Sequence, residues 1–312
     1  NMHQAYNEIL DFCKTIPALP TAVAYPCSSF ALSSAIEAAQ EGILEPILVG
    51  PKEEMLKLAE KEGLDISSYE IIDVEHAHEA AFKAVELVRT GKAKSLMKGS
   101  LHTDELLSQV LKRDTGLRTN RAISHVFLIS VPSYPKMFLV TDAAVNIAPD
   151  LKVKADICQN AIDLMHLFKN KEPKVAILSA VETVTPRIQS TIDAAALCKM
   201  ADRGQIKGGI LDGPLAFDNA ISLEAARIKG IESPVAGDAD IFLAPDLESG
   251  NILAKQLIHL SNAATAGIIL GAKVPIILTS RADNIDARIA SCAVAAVTMH
   301  FKEKKQMEEF GK

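Results

Sequence analysis

The sequence predicts an α/β fold with a largely parallel sheet, on three observations. Short apolar runs alternate with amphipathic stretches over all 312 residues, the pattern of strands joined by crossover helices. The chain is 48% hydrophobic but only 4% aromatic, with no Trp. Its core must therefore be built from Ala, Val, Ile and Leu, which suits helices layered on a parallel sheet. Third, two strand-like runs in the middle are joined by a linker too short for a helix, which breaks the alternation and suggests a second sheet system and two domains.

Thr21 to Cys27 reads as a strand and Ser28 to Glu41 as a helix. Pro46 to Gly50 is the next strand, and Pro51 to Glu62 a helix opening on proline. Tyr69 to Val74 is a strand. Ala77, Ala81, Ala84, Val85 and Val88 then form one stripe at helical spacing, stopped by Gly91. Ser95 to Gly99 is a strand, with a helix from Thr103 to Arg113. His125 to Val131 and Met137 to Thr141 are close in sequence, with Pro132-Ser133-Tyr134-Pro135 between them, so they are expected to pair antiparallel. A helix follows from Asp150 to Phe168, with Val153, Ile157, Leu164 and Phe168 on one face. Alternation resumes with strands at Val175 to Ala180, Gly209 to Leu211, Ile241 to Ala244, Ala266 to Leu270 and Pro275 to Thr279. The last helix is expected from Asn284 to Phe301.

A formal charge of −6 with acids and bases interspersed, no basic block and no aromatic platform argue against nucleic-acid binding. The five cysteines, Cys13, Cys27, Cys158, Cys198 and Cys292, are odd in number and include no C-x-x-C pair. Zinc and a disulfide framework are not expected. A reducing cytoplasm is the expected setting. No signal-peptide pattern is seen, and charges such as Lys273 interrupt the longest apolar runs, so no membrane span is expected. Two dinucleotide and phosphate-loop signatures, G-x-G-x-x-G and G-x-x-x-x-G-K-[ST], are missing, as is the G-x-S-x-G elbow.

In open α/β sheets ligands gather beyond the carboxyl ends of strands. Five such ends carry small residues, carboxylates, amides and hydroxyls: Lys98-Gly99-Ser100-Leu101-His102-Thr103, Thr141-Asp142-Ala143-Ala144-Val145-Asn146, Asp212-Gly213-Pro214-Leu215, Pro245-Asp246-Leu247-Glu248-Ser249-Gly250-Asn251 and Ser280-Arg281-Ala282-Asp283. For any single one, an ordinary helix cap is the simpler reading. Five together suggest a site for an anion, because glycine lets a ligand approach the N–H groups of a helix start. Arg281 offers a planar fork that matches a phosphate edge, and Ser280 a hydroxyl beside it. Asp283 and Asp286 are carboxylates that could serve as a base or simply complement a helix start.

These runs, with Ser124-His125-Val126-Phe127, Ile210-Leu211-Asp212-Gly213-Pro214-Leu215, Ser233-Pro234-Val235-Ala236-Gly237 and Leu278-Thr279-Ser280-Arg281-Ala282-Asp283, resemble the phosphate acetyl/butyryltransferases in order along nearly the whole chain. Met97-Lys98-Gly99, Asn146-Ile147-Ala148-Pro149-Asp150, Arg203-Gly204-Gln205-Ile206-Lys207-Gly208 and the Ala282-Asp283 that follows Ser-Arg are similar to the butyryl branch. The acetyl branch typically has glycine after that pair.

The resemblance implies two α/β/α domains of the isocitrate/isopropylmalate dehydrogenase type with the active cleft between them. One domain would comprise 1–128 plus 268–312, the other the inserted 129–267. It implies a homodimer that moves a short acyl group between CoA and phosphate through a ternary complex, with CoA as substrate and no metal or nicotinamide cofactor. Ser280 and Arg281 are carried over as catalytic, with Asp286 ahead of Asp283 as the base. Lys98, Gly99, His102, Thr103, Arg121, Ser124, Thr141, Asn146, Asp212 and Pro214 are the expected substrate, CoA and phosphate contacts, Arg121 by position only. Two other readings share the fold. One is an isocitrate-type dehydrogenase, with Asp212, Asp218 and Asp246 imagined as metal ligands. The other is a CoA- or acyl-binding module without turnover.

Overall fold

A computed structural model describes residues 2–279 and 285–311, except for the side chains of residues 2, 3, 5, 6 and 285–287. In chain order the elements are α1 (Met2–Cys13), β1 (Leu19–Ala24), α2 (Ser29–Gln40), β2 (Leu44–Gly50), α3 (Lys52–Glu62), β3 (Glu70–Asp73), α4 (Ala77–Arg89), β4 (Ser95–Lys98) and α5 (Thr103–Val110). There follow β5 (Ser124–Ser130), β6 (Phe138–Thr141), α6 (Leu151–His166), β7 (Lys174–Leu178), α7 (Gln189–Asp202), β8 (Ile210–Leu215), α8 (Phe217–Ile221), α9 (Leu223–Ile228), β9 (Ile241–Leu243) and α10 (Leu247–Leu260). The last are β10 (Ala264–Leu270), β11 (Ile276–Leu278) and α11 (Ile285–Phe310). The α/β class is as expected. No described helix is long and apolar enough to cross a membrane.

The chain forms two compact units. The first gathers Tyr6–Arg121 and Ala266–Lys312, the second Ala122–Thr265 with the first five residues. In the first unit the strands run in the order β3-β2-β1-β4-β11-β10. All are parallel except β10, which is antiparallel to β11. The crossovers are helical because parallel neighbours need a long return path. Val23, Leu48, Leu96 and Ile277 are fully enclosed along these strands. The predicted α4 stripe is confirmed at Ala81, Ala84, Val85 and Val88, all buried.

Three expectations change here. β1 ends at Ala24 rather than Cys27, because Tyr25 turns out of the strand at φ 56° while its N–H still reaches Val49 O at 2.8 Å. α5 stops at Val110 rather than Arg113, where Leu117 N–H folds back onto Val110 O at 2.7 Å. α11 continues to Phe310 rather than Phe301, past the point where its apolar stripe ends. The β10–β11 hairpin was not expected at all; its link, Gly271 to Pro275, is as tight as the hairpin link that was recognised.

In the second unit the order is β5-β6-β9-β7-β8. β5 and β6 pair antiparallel, Val126 opposite Thr141, as the Pro-Ser-Tyr-Pro linker predicted. The remaining pairs are parallel. Phe138, Phe242 and Tyr134 fill one face, meeting edge-on at centroid distances of 5.2–6.4 Å. The Tyr134 hydroxyl is not wasted in this core, since it donates to Ala239 O at 2.7 Å. On the other face α6 buries Ile157, Cys158, Ala161 and Met165, and Asp150 caps its start by accepting from Val153 N–H at 2.9 Å.

Candidate active site

In the first unit, β1, β4 and β11 are parallel and end at one edge of the sheet. Ala24 lies opposite Lys98, and Ile277 opposite Met97. The chain leaving β4 is locked to the chain leaving β1. Gly99 N–H donates to Ala24 O at 2.9 Å and Ser100 N–H to Tyr25 O at 2.7 Å. A Cβ on Gly99 would stand 2.3 Å from Ala24 O and 2.4 Å from Tyr25 O, so only glycine permits this approach. The loop then presents Ser100 and His102 to solvent and opens α5 on Thr103. His102 holds the N-cap position but makes no side-chain cap bond. Lys98, half-buried, ends β4 with its Nζ 3.3 Å from Gly99 O. Lys98, Gly99, His102 and Thr103 thus form one edge cluster, and Thr279 follows β11 at the same edge. Ser280, Arg281 and Asp283 lie outside the described residues, and so does the side chain of Asp286 in the first turn of α11.

Arg121 is set apart from that cluster. It is exposed, and its N–H donates to Thr119 Oγ1, which itself donates to Gly271 O at 2.6 Å. Gly271 follows β10, which runs opposite to β11, so this is the edge where the parallel strands begin. The same edge holds a cavity of about 270 Å³ lined by Leu19, Glu45, Lys94 and His300 among others. Lys94 is paired there with Glu303 at 2.9 Å.

Cys27 is the thiol nearest the edge cluster. Burial foremost, and then the Glu54 charge, push it up to about 12, against a lowering hydrogen bond with Tyr25. Both effects favour the neutral thiol over the thiolate.

In the second unit the conspicuous feature is the loop after β6. Asp142 is 3% exposed. Its Oδ1 accepts from the N–H groups of Ala144 and Val145, both at 2.9 Å, and its Oδ2 from Asn146 N–H at 3.1 Å and Nδ2 at 2.6 Å. One carboxylate thereby shapes five residues of backbone. The Thr141–Asp142 peptide is cis. Gly250 of α10 presses on this loop, where a Cβ would lie 2.4 Å from Asp142 O. Asp142 belongs to the family-like Thr141–Asn146 run and lies outside the expected site residues. Its burial could not be read from the sequence.

The other expected residues of this unit are tied into the fold. Thr141, fully buried, donates to His125 O at 2.7 Å. Ser124, also fully buried, accepts from Asn160 Nδ2 at 2.8 Å. Asn146 Nδ2 donates to Ile123 O at 2.8 Å as well as to Asp142. Within the fold, both hydroxyls make internal bonds that brace the hairpin. Asp212 and Pro214 lie inside β8, not beyond its end. Asp212 accepts from the next N–H, Gly213, at 2.9 Å and sits near Cys198 of α7, while Pro214 is buried. Asp246 is a helix cap. It accepts from Ser249 Oγ at 2.6 Å and Ser249 N–H at 2.9 Å, which together hold its carboxyl below the usual range.

His125, 2% exposed, packs edge-on against Phe127 with ring centroids 4.4 Å apart. Its Nδ1 has no hydrogen-bond partner among the described residues. Burial pulls the imidazole down to about 4, and the Asp142 charge opposes only part of that. An unfolded histidine titrates near pH 6.5. Between about pH 6.5 and about pH 4 the unfolded chain therefore binds more protons at this site, and stability falls as pH drops through that window. Urea midpoints measured against pH should fall less steeply over that window in His125→Gln than in the wild type. Identical slopes would show that His125 does not carry the effect.

Residues 75–296 match the family described as phosphate acetyl/butaryl transferase. A phosphate acetyltransferase of Rhizobium meliloti is 58% identical over 292 residues, covering 94% of this chain and 92% of the relative. A phosphate butyryltransferase of Clostridium acetobutylicum is 42% identical, covering 95% of this chain and 98% of the relative. A branched-chain phosphotransacylase from Enterococcus faecalis V583 superposes with a TM-score of 0.78 at 31% identity, over 90% of this chain and 99% of that one. With the family match spanning most of the sequence and the edge cluster at Lys98–Thr103 inside it, the chain belongs to the phosphate acetyl/butyryltransferase family.

Proposed function

We propose that the chain catalyses reversible transfer of an acetyl group between CoA and inorganic phosphate. The observation that carries this is the 58% identity, over 94% of the chain, to a relative named as a phosphate acetyltransferase, against 42% for one named as a butyryltransferase. The sequence pattern around Ala282-Asp283 pointed instead to the butyryl branch. The difference in identity favours acetyl over that pattern, because it samples the whole chain rather than a few positions.

In one direction a phosphate oxygen attacks the thioester carbonyl, the C–O bond forms, the C–S bond breaks and the thiolate takes a proton as it leaves. In the other, a base removes the thiol proton, sulfur attacks the acyl phosphate carbonyl and phosphate departs. Either way the protein must hold a phosphate, stabilise an oxyanion and exchange one proton. Arg281 holds the phosphate, Ser280 supports the developing oxyanion, and Asp286, or failing it Asp283, exchanges the proton. The Leu101–Thr103 end of the loop supplies N–H groups at the start of α5, with the His102 and Thr103 side chains, to the same anionic reactants. No enzyme nucleophile is required if both substrates are placed together.

Thiol release from acyl-CoA substrates of two to five carbons tests the acyl assignment. A pocket discriminates by roughly 10- to 200-fold per methylene. Acetyl-CoA should therefore give the highest kcat/KM by at least tenfold over butyryl-CoA. A higher value for butyryl-CoA would return the chain to the butyryl branch and leave the transferase chemistry intact.

A further inference from the structure

Among the described residues, three other than glycine have a left-handed φ: Tyr25 at 56°, Lys169 at 61° and Asn262 at 52°. Lys169 and Asn262 stand past the ends of α6 and α10, where helices commonly close through such a residue. Tyr25 follows a parallel strand instead. A bulky side chain disfavours this conformation, which glycine and asparagine adopt readily. It persists only where the surroundings over-determine it.

The polar groups of Tyr25 show how it is held. Its N–H donates to Val49 O of β2 at 2.8 Å. In a parallel ladder the C=O of the same residue turns to the same neighbour, toward the N–H two positions further along. That position is Pro51, which has no N–H to give. The left-handed turn takes the C=O away from this dead end and delivers it to β4, where Ser100 N–H donates to it at 2.7 Å. Cys27 N–H donates to it as well, at 2.8 Å, closing a three-residue turn whose middle, Pro26, has a φ suited to it. The phenol hydrogen-bonds the Cys27 thiol. One residue thereby ties together the exits of β2, β1 and β4.

The sheet also reverses here. From β1 the order runs to β2 and β3 on one side and to β4 on the other. Ligand crevices in open α/β sheets form outside the strand ends at such a point. We propose that Tyr25 is a positioning residue for phosphate: its left-handed turn sets where Ser100 stands, and through it the N–H groups at the start of α5. This rests on the reading, given above, that the Leu101–Thr103 end of the loop meets the anionic reactants.

Variants ranked by their tolerance of a left-handed φ test the turn apart from the ring. Tyr25→Asn loses the ring and the hydroxyl but accepts the turn, so KM for phosphate should stay within about threefold of wild type. Tyr25→Val accepts it least and should raise that KM by about 10- to 100-fold, the cost of a misplaced binding group, with Tyr25→Ala in between. Gly99→Ala opens the same seam from the β4 side, where a Cβ would stand 2.4 Å from Tyr25 O, and should behave like Tyr25→Val. KM for acetyl-CoA should change much less than KM for phosphate in every case. His102→Ala combined with Thr103→Ala probes the loop without touching the turn and should also raise KM for phosphate. If it does while Tyr25→Val and Gly99→Ala leave KM for phosphate unchanged, the inference is overturned and the reading of the loop is spared. Tyr25→Asn as impaired as Tyr25→Val, or equal rises in KM for both substrates, overturn it too, since the ring or general damage would then be the cause. Wild-type KM for phosphate in all of these variants removes both the inference and the reading of the loop.

Discussion

Arg281→Ala should slow acyl transfer in both directions by about 10²- to 10³-fold, the cost of deleting one donor that meets developing charge. The proposed mechanism puts this residue on phosphate, as the chemistry of a guanidinium suits. A planar fork meets two phosphate oxygens at once, and lysine cannot reproduce that geometry, so Arg281→Lys should remain impaired. The measurement is thiol release from acetyl-CoA with phosphate, and thiol consumption with acetyl phosphate and CoA. Losses of equal size in both directions are required, because one transition state serves both. A variant impaired in one direction only would assign Arg281 to a binding or release step. A melting temperature close to wild type is also expected, since the partner proposed for its charge is the substrate.

The largest expected effect on stability belongs to Asp142→Ala. Four donors converge on that buried carboxylate, three of them backbone N–H groups. Truncation leaves them facing an apolar methyl in a place nearly closed to water. Orphaned buried donors cost about 1–3 kcal/mol each where water cannot replace the bond, and relaxation recovers part of it, so a total of about 3–5 kcal/mol is expected. Asp142→Asn keeps one accepting oxygen and should cost about half as much. Guanidinium-induced unfolding of the two variants provides the check. An alanine variant within 1 kcal/mol of wild type would mean that the loop finds other partners, contrary to the bonding described.

Where the sequence was legible, the signals were local. The Pro132-Ser133-Tyr134-Pro135 run announces the β5–β6 hairpin because the seven residues between the two strands cannot hold a crossover helix. The alanine stripe of α4 and the cap at Asp150 or Asp246 likewise need only a few neighbouring residues to be recognised. What escaped depends on partners far along the chain. Gly99 reads as a generic loop glycine until Ala24 O and Tyr25 O are seen closing on it. Ser124 and Thr141 have the chemistry of anion ligands, and only the positions of Asn160 and His125 O show their hydroxyls already engaged. Gly213-Pro214 looked like the end of a strand. Yet β8 is at the edge of its sheet, where proline removes no bond that a neighbour needs.

The place of β11 has a bearing on synthesis. This strand inserts between β4 and β10 in the first unit, so β4 waits for a neighbour that is translated only after residue 275. The contiguous stretch from Ala122 to Thr265 has all of its own strands by then. On the ribosome the inner piece can therefore mature first, while the half-made outer piece keeps one flank of β4 unpaired and open to chaperones until the final hairpin closes it.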